Sequence, residues 1–348
     1  MNSLKEKFLI AGIGAGSLGL ELLKCFKLSD CILIYGADID KNAYGHFDQR
    51  FVKTFTIDAL DKESYCKSII NICKKYDIQF VVPGAEATNS IITMYQEDFK
   101  DNGIFPYVNS KKVYDICSDK VKCNNFLREQ GLPYLETLYI SNIRDLDSFS
   151  SFPCIIKPAK DSGGSNLVFL AENLKEAQFF VNYLETRGVV ACVQEYIDSS
   201  FEFTVGVLSN PNGEVLSSIA LQRNLTSKLS RSLAYGNRII SSGWSQGRIE
   251  NFSFICKQAE NIAKNLKSTW AINIQGRLRN QEFIPFEINP RHSGTSYFRA
   301  LSGVNEVLIG LNYLKKGENN FHKNIKIKEA TFYRILKEEV VYDGEQNR

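Results

Sequence analysis

The chain has 348 residues, 44% of them hydrophobic and 23% charged, enough for two or three domains with cores of their own. A net charge of +3, a pI near 8.2 and dispersed basic residues argue against a nucleic-acid partner, and no apolar run is long enough to span a membrane. Nine scattered cysteines without a CxxC pair read as reduced thiols of a cytoplasmic protein, and three distant histidines argue against a histidine-built metal centre.

Lys5-Glu6-Lys7 leads directly into an apolar run, so no signal peptide is expected. Phe8–Ala11 predicts a strand, Gly12-Ile13-Gly14-Ala15-Gly16-Ser17-Leu18-Gly19 a tight turn, and Glu21–Phe26 an amphipathic helix. A second strand, Cys31–Gly36, ends near Asp38 and Asp40. This order is the dinucleotide fingerprint, with an acid about 20 residues on. Alone it points to an NAD-dependent oxidoreductase, although the same glycines also serve turn geometry and helix packing. A helix over 64–76 and a buried strand over 78–83 follow. Glu86 then lies at the C-terminal sheet edge, where open α/β sheets hold ligands. It either meets a ligand or complements a helix N-terminus. Ile104–Val108 closes the first domain.

Lys111–Gln130 predicts one helix, containing Ser118-Asp119-Lys120 and stopped by Gly131-Leu132-Pro133. Strand Cys154–Lys160 carries Lys157, and Leu167–Leu170 returns from a loop containing Ser162, Gly163 and Gly164. Such a hairpin can fold over phosphates with its backbone N–H groups; it is not a Walker loop, because no GK[ST] opens a helix. A helix over 174–186, a strand over 189–197 and a strand over 201–207 come next, with Glu202 alternating with apolar residues. Asn210-Pro211-Asn212-Gly213 is a hairpin turn. Gln222–Gly243 reads as a polar, flexible segment suited to substrate specificity, with Arg223 its candidate contact. Ile249–Leu266 predicts a long amphipathic helix and Ala271–Gln275 a strand.

Phe286-Glu287-Ile288-Asn289-Pro290-Arg291 predicts a strand ending in a carboxylate, an amide and a guanidinium. Glu287 and Asn289 share a face, and oxygen ligands so placed suit a hard divalent cation such as Mg²⁺. If the two strands pair, Gln275 supplies a third oxygen. Arg291 stands where it can meet an anion held by the metal. The segment His292-Ser293-Gly294-Thr295 precedes a helix from about Tyr297, and backbone donors there suit an acyl phosphate. Ala330–Val341 predicts a closing strand.

The combination of Ile155-Ile156-Lys157-Pro158 with the glycine loop, Gln194-Glu195-Tyr196-Ile197, and Gln275 with Glu287–Arg291 resembles the ATP-grasp superfamily. The nearest likeness is to its carbamoyl phosphate synthetase-like carboxylate–amine ligases. The resemblance implies an α/β and α+β chain: a Rossmann-like domain over 1–110, a small grasp lobe over 111–190 and a large lobe with the metal site over 191–348. It implies that Lys120 and Lys157 meet the nucleotide phosphates, that Gln194, Glu195, Tyr196 and Ile197 lie along the adenine, and that Glu202 faces the nucleotide. Glu86 becomes a substrate contact, and Arg291 and Lys157 catalytic residues. The cofactors implied are ATP with Mg²⁺ or Mn²⁺, and the partners a small-molecule carboxylate and an amine, with a homodimer compatible and neither nucleic acid nor membrane involved. The synthetase large subunit carries two grasp halves and this chain one, so carbamoyl phosphate synthesis itself is not expected. A carboxylate kinase, an NAD-dependent oxidoreductase and a grasp protein that only binds stay open as alternatives.

Overall fold

The computed structural model describes residues 5–14, 16–160, 166–317, 325–335 and 337–340. The glycine-loop residues Ser162, Gly163 and Gly164 lie outside them. The first unit comprises β1 (Glu6–Ala11), α1 (Leu18–Phe26), β2 (Ile32–Asp38), β3 (Lys53–Thr56), α2 (Lys62–Tyr76), β4 (Phe80–Pro83), α3 (Glu86–Met94), α4 (Gln96–Asp101) and β5 (Phe105–Pro106). Its five strands are parallel in the order β3-β2-β1-β4-β5. β1 is apolar at every position from Phe8 to Ala11 because both of its faces are covered. Leu9 and Ala11 pack among α2 residues such as Tyr65 and Ile69. Phe8 and Ile10 join α1 residues in a core that continues through Trp270, Phe298 and Val307 of the C-terminal half. That shared core fixes the first unit against the rest of the chain.

Two helices follow, α5 (Lys111–Cys117) and α6 (Lys120–Glu129). The single helix expected over 111–130 is broken at Asp119, whose carboxylate caps α6 by accepting from the Val121 and Lys122 amides. An Asp that can bond its own backbone competes with helix continuation. The small lobe is a sheet of β6 (Thr137–Ile140), β7 (Cys154–Pro158), β8 (Phe169–Ala171) and β9 (Ala191–Glu195), ordered β6-β9-β7-β8, all antiparallel. Helix α7 (Leu174–Glu185) covers it through Ala177, Val181 and Leu184.

The large lobe contains β10 (Glu202–Ser209), β11 (Val215–Arg223), β12 (Arg231–Tyr235), β13 (Arg238–Ser241), β14 (Gly247–Ile249), α8 (Ser253–Leu266), β15 (Ala271–Arg279), β16 (Glu282–Asn289), α9 (Ser296–Leu301), α10 (Glu306–Lys316) and β17 (Ala330–Phe332). Six of its strands form one sheet, β16-β15-β10-β11-β14-β17, while β12 and β13 form a separate hairpin. The segment expected to be flexible thus contains ordered strands. The helix expected from Ile249 begins at Ser253, because Gly247–Ile249 joins the sheet between β11 and β17. The closing strand is shorter than expected and ends at Phe332. Among the described residues no helix is long and apolar enough to cross a membrane.

One face of the large sheet is apolar. Phe203, Val205, Val207, Ile272, Ile274, Phe283 and Ile288 pack with Ile255, Ala259, Ile262 and Leu266 of α8. Phe283 and Ile288 are an odd number of residues apart, yet both belong to this core. The ladder explains it: Gln275 pairs with Glu287 and Gly276 with Pro285, leaving Phe286 as the extra residue of a bulge. The bulge resets the alternation so that Glu287 and Asn289 emerge on the opposite face.

Candidate active site

The opposite face of the sheet is polar and forms the floor of a cleft. Strand alternation places Glu202 and Thr204 of β10 and Asn273, Gln275 and Arg277 of β15 on it, with Glu287 and Asn289 of β16. Register sets Gln275 beside Glu287 and Asn273 beside Asn289. The pairing on which a third oxygen from Gln275 depended is therefore present. Gly206, on the same face, is needed where it stands: a Cβ there would lie 2.0 Å from Glu306 Oε1 and 2.2 Å from Arg299 Nη1.

Two cavities open above this floor. The first, about 720 Å³ with its open mouth, lies between the lobes and is lined by Lys120, Lys157, Gln194, Glu195, Tyr196, Ile197, Glu202, Gln275 and Glu287. Apolar Leu135, Ile155, Val168, Ile239, Ile240 and Phe286 complete its wall. The second, about 990 Å³ with its mouth, lies between the first unit and the large lobe. Ser17, Leu18 and Glu86 line one side of it, and Arg223, Gln275, Glu287, Asn289, Arg291, Ser293, Gly294 and Thr295 the other. Gln275 and Glu287 belong to both cavities. Every candidate site residue within the described part therefore lies on one cavity or the other, with one exception. His292 is buried and turned to Glu306, 3.5 Å from its carboxylate, and lines neither.

Lys157 is buried and donates to Gln194 Oε1 at 2.7 Å in the small lobe and to the Phe286 carbonyl at 3.3 Å in the large one. Burial pulls its pKa down from 10.5 to about 8; Lys120 adds to that shift, while Cys192 and Glu287 oppose it. Gln194 is itself held by donating to Thr137 Oγ1 at 2.9 Å. Glu195 accepts from Arg279 at 2.5 Å.

Glu202 lines the first cavity, but its carboxylate is engaged by two guanidinium groups, Arg277 at 2.9 Å and Arg223 at 3.2 Å, all three buried. Arg277 also donates to the carbonyls of Ile197 at 2.9 Å and Ile239 at 2.5 Å, and Arg223 to that of Ser242 at 2.7 Å. The triad ties the hinge between the lobes to hairpin β12–β13. Beneath the second cavity, Arg299 donates to Asn273 Oδ1 at 2.6 Å and to Glu306 at 3.2 Å. Burial works to raise the Glu306 carboxyl, but Arg299, His292 and Ser296 outweigh it and hold it down at about 2.

Arg291 bonds Glu86 of the first unit at 2.5 Å and the His292 carbonyl at 2.9 Å. Arg334 reaches the same region. It donates to Glu21 of α1, to the Ser245 carbonyl and to the Gly294 carbonyl, and lies over the Phe298 ring at 4.7 Å. Asn273, Arg277, Arg279, Arg299 and Arg334 were not singled out from the sequence. A signal for three of them was present: Asn273, Gln275, Arg277 and Arg279 alternate along one strand, and the expected strand stopped at Gln275.

A divalent cation fits the junction of the two cavities. Glu287 carries a carboxylate there, Gln275 and Asn289 carry amides, and Asn289 Nδ2 is buried without a partner. Among the described residues no group of three or more His, Cys, Asp or Glu forms a metal cage. One carboxylate with two amides is a donor set for a hard ion that completes its shell with water and phosphate oxygens.

A family model described as ATP-grasp in the biosynthetic pathway with the Ter operon matches residues 189–335. No curated protein matches the chain by sequence. Among solved structures, the L-amino acid ligase of Bacillus licheniformis has a TM-score of 0.68 at 14% identity, over 90% of this chain and 75% of that one. The biotin carboxylase domain of Hydrogenobacter thermophilus 2-oxoglutarate carboxylase, a dimer in complex with MgADP, ADP and bicarbonate, scores 0.64 at 16% identity, over 94% and 73%. The N5-carboxyaminoimidazole ribonucleotide synthetase of Thermotoga maritima scores 0.56 at 17% identity, over 86% and 73%.

Proposed function

We propose that the protein is an ATP-dependent ligase of the ATP-grasp superfamily, joining a carboxylate to an amine through an acyl phosphate; the family model over residues 189–335 supports the superfamily. One observation carries this reading: a cavity between the lobes and a cavity facing the first unit meet at Gln275 and Glu287. A nucleotide in the first cavity would have its phosphates end where an acceptor in the second begins. Phosphoryl transfer needs little more from a protein than such placement with charge neutralisation.

In this reading the first cavity takes ATP. The apolar residues enclose the base, with the backbone of Gln194–Ile197 alongside. Lys120 and Lys157 balance the phosphates. Gln275, Glu287 and Asn289 hold Mg²⁺, for which Mn²⁺ can substitute. The metal, when bound, neutralises charge on the phosphates as the γ-phosphoryl leaves. The acceptor carboxylate cannot react with an amine directly, because its leaving group would be oxide; as an acyl phosphate it leaves phosphate instead. Arg291 orients that carboxylate and steadies the charge that develops on its oxygens. Ser293, Gly294 and Thr295 line the same space. Glu202 and Arg223 act through the walls they hold. A homodimer is compatible with this reading and is testable by sedimentation.

The test is a screen of acids and amines for ADP release, with the mass of the product measured. ADP release that needs an acid and an amine, with condensation of the two, supports the ligase. Release with the acid alone and recovery of its phosphate would make the protein a carboxylate kinase.

A further inference from the structure

Arg291 and Glu86 come from different parts of the chain, one just past the metal strand and the other at the start of α3. Their side chains meet inside the second cavity, Nε to Oε2 at 2.5 Å, and remain 17% and 33% exposed to it. They thus put one positive and one negative group side by side on a pocket wall, within reach of an entering molecule. A simple anion would find Arg291 already neutralised and Glu86 repelling it. A zwitterion whose own charges are one carbon apart can replace both partners at once: its carboxylate takes Arg291 and its ammonium takes Glu86. No charge is then left unpaired, which is the condition for desolvating charged groups without a large penalty.

We propose that the acid activated here is an α-amino acid, bound with its carboxylate on Arg291 and its ammonium on Glu86. This rests on the ligase reading for the chemistry, but the binding claim stands by itself. The polarity is set by the site. Arg291 is the partner that continues from Glu287 and Asn289, so the carboxylate lies at the phosphate end and the ammonium points toward the first unit. The rest of the cavity, bounded by Ser17, Leu18 and Gly84 from that unit, is left for the side chain.

The experiment is calorimetric titration of the full chain, loaded with Mg²⁺ and a nonhydrolysable ATP analogue, with each of the twenty common L-amino acids. Each one that binds is paired with its deamino counterpart, hydrogen replacing the ammonium. The expected result is binding of one or more amino acids, at least tenfold weaker binding of the deamino acid, and loss of that preference in Glu86→Gln. The ATP analogue should bind Glu86→Gln within twofold of wild type, which controls for folding. No binding by any amino acid, equal binding of the deamino acid, or an undiminished preference in Glu86→Gln would overturn the proposal and leave the pair a tether between domains. The ligase reading fails separately, by absence of ADP release from bound amino acids with ATP and every amine offered.

Discussion

Lys157 bridges both lobes from a buried position, and its depressed pKa gives a prediction with a definite sign. Below pH 8 the ammonium is charged in the folded protein and its burial costs stability. Between about 8 and 10.5 the folded protein has lost a proton that the unfolded chain keeps, so this group makes stability rise with pH across that window. A triphosphate placed beside Lys157 favours the charged form. Nucleotide binding should therefore take up protons above pH 8, and ATP affinity should fall as pH rises through that range. Calorimetry in two buffers of different ionisation enthalpy measures the uptake, and Lys157→Met should abolish it; pH-independent binding with no proton uptake would remove Lys157 from the phosphate site. Glu287 is the only carboxylate in the proposed metal set. Glu287→Ala should lower ADP formation by more than about 100-fold, beyond the effect of losing an outer-shell partner. Circular dichroism should stay unchanged, because Glu287 is half-buried at the cleft rather than packed in the core. Wild-type turnover by that variant at ordinary Mg²⁺ would refute the assignment.

At the scale of elements, hairpin β12–β13 is the part least legible in the sequence. Its alternation is weak, since β12 is exposed along most of its length, and its place depends on contacts from remote segments. Ile239 is held by Tyr196 Oη, which accepts from its amide at 3.0 Å, and by Arg277. Arg238 pairs with Glu172 of the small lobe. Such side-chain-to-backbone contacts have no local period to read. Strand β16 was legible because its polar residues are clustered, but the bulge at Phe286 was not, since only the partner strand reveals the extra residue. Helix α6 begins after Asp119 for a reason that was visible, an Asp able to cap, yet apolar periodicity on both sides hid the break. The hairpin's Ile239, Ile240 and Ser241 line the cavity between the lobes, so the Arg238–Glu172 pair holds one wall of it to the opposite lobe. A partly exposed pair contributes about 0.5–1 kcal/mol after solvent screening. Arg238→Ala should then speed nucleotide dissociation by about two- to fivefold. Stopped-flow release of a fluorescent ATP analogue measures it, and the double variant with Glu172→Ala should be no faster than either single one.

At the scale of the whole molecule, the first unit has the strand order and the glycine turn of a dinucleotide domain, and its docking onto the large lobe decides what that turn can do. Gly19 and Gly84 are needed for packing: a Cβ on either would lie 2.0 Å from the Gly12 carbonyl oxygen. Gly16 is needed for a different reason. Its φ is +67°, and a Cβ on it would come 2.7 Å from the Trp244 ring of the large lobe. Trp244 thus covers the mouth of α1, where a dinucleotide fold holds the pyrophosphate. Asp38 stands at the end of β2, where an acid would meet the ribose, but its carboxylate accepts from the Ile13 amide at 2.7 Å and the Asp40 amide at 3.0 Å. Both features that would bind NAD are used to hold the turn and to seat the lobe. The expected outcome is that Mg²⁺ with ATP binds the intact chain, while NADH gives neither calorimetric heat nor a blue shift of its fluorescence. Gly16→Val should lower the unfolding midpoint, since crowding a packed contact costs about 1–3 kcal/mol. Trp244→Ala in the same chain should recover part of that loss, because the clash needs both side chains. NADH binding that competes with ATP would mean that the turn serves a ligand and not the joint between domains, whereas a Gly16→Val defect untouched by Trp244→Ala would trace the need for glycine to its left-handed backbone and not to the Trp244 contact.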